Sequence, residues 1–461
     1  MSQPPNPQFE TLVRIVENFC AEAPKELASL YRPDPNKFPE KANQAKDRAY
    51  CHLYLLVKFG LTDFQARERL ITDGTQDGGL DAYFIDHDNR KIYLIQSKFH
   101  ITGGKFEGCS ITAEDMLKME IEQILKGEKK DSHGKSFNDK IHRFQSELRR
   151  TTNNIYDHLV VLLANVKHSD ARIKKLIGNL PYEAFDSKKV YDDLVFRLCA
   201  GNYTKPSKVD IEIYLSNKEQ VRLKQEIKVK SGRCGITILF APTLEIGRVM
   251  AKYKNAILQH NPRNFLSLAK NQVNQGIAYS ITRQRTNEFA ILNNGITILA
   301  DDVQFSDRTG NPRAGRLTLT NPQIINGGQT AYTLSKIYEN QHEKAARIFK
   351  GKEVMLKIVS LGQGGSNQAL FIENISNSTN RQSRVKEADR RSNSQTFTEM
   401  QSKIYSHFGY FFERKEGEFY NGLDRAFIDK KHVISRTNFL KAFLAYKADL
   451  SAWRSVLPSS K

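Results

Sequence analysis

One short stretch of the sequence combines the residue types that hydrolysis of a phosphodiester bond requires. Asp81 follows the glycine pair Gly78-Gly79, and Gln96 and Lys98 come after the next apolar run. The reaction needs a metal ion that neutralises charge on the phosphate and activates water. Mg²⁺ prefers oxygen ligands, so Asp81 is the expected metal ligand. The ammonium group of Lys98 would orient or deprotonate the attacking water, or stabilise charge in the transition state.

Two β-rich runs must position these residues. They cover residues 81–85 and 91–95 and are separated by polar turn residues, which predicts a hairpin. Side chains alternate along a strand, so Gln96 and Lys98 share one face while Ser97 points to the other. The hairpin therefore brings the glutamine and the lysine beside the aspartate.

An ordinary structural interpretation of these residues also exists. A glycine pair before an aspartate is a common turn, and Gln-x-Lys on a strand is often a solvated face. The apolar pair Leu94-Ile95 directly before Gln96 indicates a buried strand, however. Because lysine is rarely buried without a partner or a role, we favour the catalytic interpretation of Lys98.

The pattern resembles the Asp…(Asp/Glu/Gln)-x-Lys core of the PD-(D/E)XK nuclease superfamily. Its Gly-Gly-Leu-Asp…Gln-Ser-Lys spelling is similar to the Mrr-like restriction branch, over about residues 40–220. The resemblance implies that Asp81 is a metal ligand, Gln96 the second metal-side residue and Lys98 the catalytic lysine. It also implies Mg²⁺ as the cofactor, with Mn²⁺ able to substitute.

The superfamily often adds an acid from the first core helix. Asp47 and Glu68 are the candidates here and would be further metal ligands, whereas Asp77 is expected only to shape the turn. Gln96 replaces the commoner carboxylate and lowers the negative charge available to the metal. Because Gln occurs at this position in the Mrr-like branch, we interpret it as a variant of the site.

A second group of motifs, rich in asparagine and glycine, lies between residues 240 and 450. The motifs are Asn261-Pro262-Arg263-Asn264-Phe265-Leu266, Asn293-Asn294-Gly295-Ile296-Thr297, residues 321–330 and residues 375–382. The loop Asn326-Gly327-Gly328 is predicted between a strand and a helix, where free N–H groups favour an anion. Asn-Gly is also a common turn dipeptide, so a turn and a nucleic-acid or nucleotide surface both stay open.

These motifs closely resemble the AIPR family (abortive infection, phage resistance), in the family's order from Asn261 to about Arg414. The resemblance implies a bacterial defence role with the N-terminal nuclease as its effector, and it defines no chemistry for this region. The binding candidates that follow are Asn294, Asn326, Gln329, Asn377, Asn380 and Arg381.

The predicted elements divide the chain into two α/β regions. Helices are expected at about 8–31, 43–60, 63–70, 112–127 and 138–149, and further strands at 159–163, 193–198 and 209–215. With the resemblance, residues 1–220 are predicted to form a restriction-endonuclease-like α/β/α domain with a mixed sheet.

Residues 221–461 are predicted to form a mixed α+β domain of AIPR type that binds nucleic acid or a trigger. We expect its strands near 236–240, 289–299 and 353–359, and its helices near 329–340, 367–376 and 435–447.

The composition fits a cytoplasmic protein with a polyanionic partner. The chain has 461 residues with 70 Lys+Arg against 51 Asp+Glu, a net charge of +19, which favours nucleic acid over a merely soluble basic protein. Five scattered cysteines are expected to be reduced thiols. The polar N-terminus predicts no signal peptide, and no apolar run predicts a membrane span. Residues 450–461 do not resemble a natural terminus, so we expect a longer native chain.

The sequence therefore predicts a metal-dependent endonuclease of anti-phage defence that cleaves foreign DNA, with DNA more expected than RNA. One alternative is a nucleic-acid-binding or regulatory protein that does not cleave. The other is an RNase toxin controlled by a partner or by a nucleotide bound near Asn326–Gln329. A phage or nucleotide trigger and a homodimer are the further partners considered, although no segment identifies a dimer interface.

Overall fold

A computed structural model gives the structure of most of the chain. It describes residues 6–87, 89–151, 156–203, 210–215, 221–229, 232–258, 261, 272–306, 315–341, 344–361, 375 and 395–446. The chain divides into two compact units, Met1–Leu198 and Cys199–Lys461. The sequence places the boundary later, near residue 220. The difference arises because the strand predicted at 209–215 pairs with residues 315–320 of the second unit.

A four-stranded mixed sheet forms the centre of the first unit. Strands β1 (Ala82–Asp86) and β2 (Lys91–Ser97) form the predicted antiparallel hairpin. The two short strands β3 (Ser110–Ile111) and β5 (Asn165–Val166) pair with each other. The main sheet continues in parallel from β2 to β4 (Asp157–Leu163) and β6 (Tyr182–Ala184).

Short and long helices connect these strands. They are α1 (Pro7–Glu22), α2 (Ala28–Tyr31), α3 (Pro39–Phe59), α4 (Phe64–Glu68), α5 (Gly103–Gly108), α6 (Ala113–Leu117), α7 (Ile121–Lys126), α8 (Asp139–Arg149), α9 (Asp170–Leu176), α10 (Ser187–Val190) and α11 (Phe196–Cys199). Helix α3 shows why its sequence forms a helix of this length. It begins at Pro39, whose missing N–H costs nothing in a first turn, and ends at Gly60, whose φ of +66° suits glycine.

Helices cover both faces of this sheet. On one face, Ile92 of β2 and Phe144 of α8 belong to one buried apolar core. On the other face, the ring of Phe59 at the end of α3 stacks on Phe84 at 3.9 Å and meets Tyr93 at 4.8 Å between centroids. The first unit is therefore an α/β structure in which the sheet lies between two helical layers.

The strand predicted at 193–198 is wrong. Tyr191–Val195 is a π-helical turn and Phe196–Cys199 continues as α-helix, with Leu194 and Val195 fully buried. A short apolar run fits a buried helix as well as a buried strand, so periodicity could not distinguish them.

The second unit contains a five-stranded mixed sheet, a three-stranded antiparallel sheet and a parallel pair of short strands at Phe411–Glu413 and Val433–Ser435. Its strands are β7 (Asp210–Leu215), β8 (Leu223–Val229), β9 (Gly232–Pro242), β10 (Ile296–Ala300), β11 (Asp302–Ser306), β12 (Gly315–Thr320), β13 (Gln323–Asn326), β14 (Glu353–Leu361), β15 (Phe411–Glu413) and β16 (Val433–Ser435). The larger sheet has the order β13-β10-β14-β9-β8, and a three-stranded sheet has the order β11-β12-β7.

The helices of the second unit are α12 (Thr243–Tyr253), α13 (Gln272–Thr282), α14 (Phe289–Leu292), α15 (Gly328–Asn340), α16 (Ala345–Ile348), and then Gln395–Phe408, Tyr420–Asp424 and Arg436–Tyr446. Gln395–Phe408 contacts β15 and Arg436–Tyr446 contacts β16, whereas α12, α14 and α15 contact the larger sheet. Ile246 of α12, Leu334 of α15 and Leu356 of β14 share its core. Within the described part of the chain, no helix has both the length and the apolar character needed to cross a bilayer.

Most elements predicted for this unit are confirmed. The strands near 236–240 and 353–359 are β9 and β14, and the helix near 329–340 is α15. The strand predicted at 289–299 is correct only from Ile296, because Phe289–Leu292 is helical. Nearly all of the helix predicted at 367–376 lies outside the described residues.

Candidate functional site

A turn with two glycines places Asp81 directly before β1. Gly78 and Gly79 have φ values of +63° and +68°, and a Cβ on Gly79 would lie 2.6 Å from the carbonyl oxygen of Lys118. Only glycine fits there without strain. The N–H of Asp81 donates to the carbonyl of Ile95 at 3.0 Å, so the hairpin ladder extends past its last paired strand residue. The turn thus fixes Asp81 beside the end of β2.

The end of β2 sends its side chains alternately to the two faces of the sheet. Gln96 and Lys98 both contact Asp115 in α6, through Nε2 to the backbone carbonyl at 2.9 Å and through Nζ to the carboxylate at 2.6 Å. Ser97 instead contacts α3, where its hydroxyl donates to Asp47 Oδ1 at 2.6 Å. The N–H of Ser97 donates to Asp81 Oδ2, also at 2.6 Å.

The amide of Gln96 is oriented with its oxygen free. The backbone oxygen of Asp115 can only accept, so the amide nitrogen must face it. The amide oxygen Oε1 is buried and has no hydrogen-bond partner in the described part of the molecule. A buried acceptor without a donor is costly unless a ligand satisfies it. This atom is therefore suited to a bound cation or to a water that the cation holds.

Three aspartates converge on the same region. Asp73, Asp77 and Asp81 each offer a carboxylate oxygen, and these atoms lie within 4.8 Å of one another. Asp77 accepts the N–H groups of Gly74 at 3.0 Å and Gly79 at 2.9 Å, so it shapes the turn, as predicted, and also belongs to the acidic cluster.

Asp73 is anchored by two basic residues. The guanidinium of Arg48 donates to its carboxylate at 2.6 Å, and Lys140 Nζ donates to its backbone carbonyl at 3.0 Å. Asp73 is not among the metal ligands predicted from the sequence. The repeat of aspartates at every fourth position from 73 to 81, in a glycine-rich segment, is the pattern that could have identified it.

The two acids predicted as the additional metal ligand lie in different settings. Asp47 on α3 accepts the Ser97 hydroxyl and the N–H of Phe99, the latter at 3.2 Å, and so fixes the chain where it leaves β2. Glu68 accepts hydrogen bonds from Tyr31 and from His52, the latter at 3.2 Å. Asp47 is thus tied directly to the strand that carries Gln96 and Lys98, whereas Glu68 belongs to a buried Tyr–His–Glu cluster.

The acidic groups make each other difficult to ionise. Burial and then the neighbouring Asp47 carboxylate raise the pKa of Asp81 well above its usual range, and the Ser97 N–H opposes this only in part. Burial, assisted by Asp73, raises the pKa of Asp47 to about 6. Burial also raises the pKa of Asp77. A divalent cation would relieve this repulsion, because it favours the charged form of every carboxylate near it.

The donor set fits an oxygen-coordinated divalent metal such as Mg²⁺ or Mn²⁺. It consists of the carboxylates of Asp73, Asp77 and Asp81. Gln96, whose amide oxygen is unsatisfied, lies between Ile95 and Ser97, the two β2 residues whose backbones bond to Asp81. Hard divalent cations prefer such ligands, and the described residues place no cysteine or histidine in this acidic group.

Lys98 is held by Asp115, which is not among the site residues predicted from the sequence. Asp115 lies in the first turn of α6 and completes a capping box with Thr112, whose N–H and hydroxyl donate to the same carboxylate oxygen as Lys98. Burial alone would raise the pKa of Asp115, but these donors, with Lys98 the strongest, bring it below its usual value. Thr-x-x-Asp before an apolar run was the available sequence pattern.

In the second unit, two asparagine–glycine motifs lie against each other. Thr297 of β10 pairs with Asn326 at the end of β13. A Cβ on Gly327 would lie 2.8 Å from the carbonyl oxygen of Gly295, so the two loops touch through their backbones. Asn293 accepts the N–H of Gly295 at 3.0 Å and donates to Thr330 at 3.1 Å, which fixes both loops.

The binding candidates of these motifs differ in their surroundings. Asn326 uses its side-chain oxygen to accept the N–H of Gly327 at 2.7 Å. Asn294 is exposed and Gln329 half-buried at the start of α15, and neither side chain has a hydrogen bond within the described residues. The candidates Asn377, Asn380 and Arg381 lie outside the described residues.

Comparison with known proteins finds one region of the chain that is similar to a known family. Residues 258–453 match the family model described as AIPR protein. Neither the curated proteins nor the solved structures contain a match to the chain. The matched residues fall within the second unit and include the asparagine–glycine loops.

Proposed function

We propose that the first unit is a metal-dependent endonuclease that hydrolyses phosphodiester bonds of DNA. The observation that carries the proposal is the buried, unsatisfied Oε1 of Gln96, on the sheet face that also presents Lys98 and between Ile95 and Ser97, whose backbones bond to Asp81. A bound cation, or a water held by it, would satisfy this free acceptor.

Each of these residues would have a separate role in the reaction. Asp81 and Gln96 would hold Mg²⁺ or Mn²⁺ together with Asp77 and Asp73. The ion would neutralise charge on the scissile phosphate and activate a water molecule. Lys98, positioned by Asp115, would orient that water or stabilise the charge that develops on the phosphate. Asp47 would act indirectly, because its contacts with Ser97 and Phe99 fix the position of the chain where it leaves β2.

The AIPR match supports a role in abortive infection and phage resistance, for which the family is named. In this role the second unit would bind nucleic acid or a trigger through the paired loops around Gly295 and Gly327. The net charge of +19 supports a polyanionic substrate.

The test is cleavage of supercoiled plasmid, linear phage DNA and single-stranded RNA with Mg²⁺, Mn²⁺ or EDTA. Wild type is compared with Lys98→Ala and with Lys118→Ala, a matched control because Lys118 is exposed and, among the described residues, forms an ion pair only with Glu114 of its own helix. We expect metal-dependent cutting of DNA that Lys98→Ala abolishes and Lys118→Ala retains. Cutting that both variants retain would remove Lys98 from the site, and preferred cutting of RNA would favour the RNase alternative.

A further inference from the structure

The net positive charge of the chain lies almost wholly in its second unit. Residues 1–198 contain 30 Lys+Arg and 29 Asp+Glu, whereas residues 199–461 contain the other 40 Lys+Arg and only 22 Asp+Glu. The net charges are therefore +1 and +18. Residues 216–233 are a dense part of this surplus, with six Lys+Arg against two Asp+Glu. A polyanion attracted by charge would bind mainly to the second unit.

Strands β8 and β9 place several of these cations on one face of the five-stranded sheet. Every second residue from Arg222 to Lys228 is charged, and alternation along a strand puts these four side chains on the same face. Arg233 of β9 pairs directly with Lys228 and so shares that face. The four cations of this face form a basic ridge, which consists of Arg222, Lys224, Lys228 and Arg233.

The cations of the basic ridge are crowded in two places. The guanidinium carbon of Arg222 and the Nζ of Lys224 lie 4.4 and 4.5 Å from the centroid of the same ring, that of Phe305 in β11. Lys228 and Arg233 are directly opposed across the strand pair, and like charges in this arrangement are destabilising. The fold therefore holds cations close together at both ends of the ridge.

Glu226 compensates for only part of this charge. Its carboxylate lies 3.4 Å from the Arg233 guanidinium, but the two side chains are 65% and 76% exposed. Exposed ion pairs of this kind contribute little. The other three cations of the ridge form no ion pair with a carboxylate of the described residues. The ridge thus keeps a surplus of positive charge that an anionic ligand would neutralise.

The length of the basic ridge favours a polyanion over a small anion. Lys224 and Lys228 are about 13 Å apart along β8, too far for one small anion to contact both. The whole ridge extends about 20 Å, a length over which each strand of B-DNA presents about six phosphates. Several cations can therefore contact phosphates of one duplex together. The Phe305 ring also restricts the two side chains that pack on it, which lowers the entropy lost on binding.

We propose that the basic ridge is a binding surface for the phosphate backbone of DNA. The second unit would hold the substrate that the first unit cleaves, so the choice of DNA as the polyanion rests on the proposed function. Contacts with phosphates carry no sequence information, and each of them releases counterions. Binding at the ridge should therefore depend strongly on salt and little on DNA sequence.

The experiment measures binding of a short labelled DNA duplex to the full-length chain by fluorescence anisotropy. It is done in EDTA, so that the duplex stays intact, and at several salt concentrations. The ridge variant combines Lys224→Gln, Lys228→Gln and Arg233→Gln. Its dissociation constant should rise at least about tenfold, and its logarithmic dependence on salt should fall by about 2–3, because each lost phosphate contact contributes about 0.9.

A control variant removes the same charge from the first unit. It combines Lys25→Gln, Lys129→Gln and Lys175→Gln, three exposed lysines without an ion pair among the described residues, and it should bind DNA with nearly the wild-type salt dependence. Glu226→Gln is a second control on the ridge itself. It removes a charge that repels phosphates, so it should tighten binding, which a merely disturbed strand would not do.

The melting temperature of the ridge variant distinguishes lost binding from lost folding. It should not decrease, because Lys228→Gln and Arg233→Gln remove an opposed pair of like charges. Equal losses of affinity in the ridge variant and the first-unit control, or no loss in the ridge variant, would overturn the proposal. Single-stranded RNA should compete more weakly, since each of its contacts contributes only about 0.7; stronger competition by RNA would reject DNA as the ligand. Binding in EDTA does not require cleavage, so this test and the Lys98→Ala test can fail separately.

Discussion

Asp47 and Ser97 lie 2.6 Å apart, with the serine hydroxyl donating to the carboxylate, and this hydrogen bond joins helix α3 to the end of strand β2. The backbone N–H of the same serine donates to Asp81. Ser97 therefore contacts two carboxyl groups whose charged forms repel each other. The protonation of both groups depends on pH.

Stability without metal should fall as pH rises from about 4 to about 6. Burial raises the pKa of Asp47 from 3.8 to about 6. Between these values the folded chain binds more protons than the unfolded chain, so the free energy of unfolding decreases with pH. Chemical denaturation at several pH values measures the slope, and Asp47→Asn should flatten it. Added Mg²⁺ should stabilise more at pH 7 than at pH 5, and equal stabilisation at both would argue against an acidic metal site.

Gln96→Ala should weaken Mg²⁺ binding, because it removes the free buried oxygen, whereas Gln96→Glu should strengthen it by adding a charge. We expect changes of about tenfold in each direction, the size typical of altered groups near a metal. Calorimetric titration of Mn²⁺ or Mg²⁺ into each variant provides the measurement. An affinity that Gln96→Ala leaves unaltered would mean that the amide serves only the hydrogen bond to Asp115.

Gly79→Ala should be strongly destabilising, and Gly134→Ala provides the control. Both glycines have positive φ, at +68° and +79°, so the left-handed backbone lowers the free energy of unfolding of both variants by about 1 kcal/mol. Only at Gly79 does the new Cβ meet a backbone oxygen at 2.6 Å, whereas nothing lies within 4 Å at Gly134. Thermal melting should therefore show a clearly larger loss for Gly79→Ala. Equal losses would mean that the turn has room to move.

Asn294→Ala and Gln329→Ala should reduce binding of DNA or nucleotide several-fold without lowering the melting temperature, because neither side chain has a partner in the described structure. Asn293→Ala should instead lower the melting temperature. It removes hydrogen bonds to Gly295 and Thr330, which are together worth about 1–3 kcal/mol. Fluorescence anisotropy with labelled DNA, and melting curves, separate the two effects. Normal binding by both Asn294 and Gln329 variants would support the turn interpretation of these motifs.

The sequence predicts those parts of the site that depend on strand periodicity. The shared face of Gln96 and Lys98, opposite to Ser97, follows from alternation alone, and the hairpin follows from two apolar runs around a turn. Asp73 could not be placed in this way, because its approach to Asp81 depends on a loop in which Gln76, like the glycines after it, has positive φ. Asp115 is distant in sequence from Lys98 and meets it only through the packing of α6.

In the second unit, strand β8 could not be predicted from the sequence. Strand β8 reads as a solvated segment, since three of its seven residues are charged and its burial pattern is almost wholly exposed. Its strand character comes from pairing with β9, which local composition does not encode.

The parallel pairing of β2 with β4 has a consequence for how this protein can evolve. Ser97 lies beside Leu163, so both strands end at the same edge of the sheet and the chain beyond Leu163 starts next to the proposed catalytic residues. Asn165 then secures that chain by donating to the carbonyls of Phe106 and Cys109 at 2.7 and 2.9 Å. Under the proposed function, substitutions beyond this anchor would alter the surface beside the site while the acids and the lysine stay unchanged. Target choice would then be able to diversify separately from the reaction.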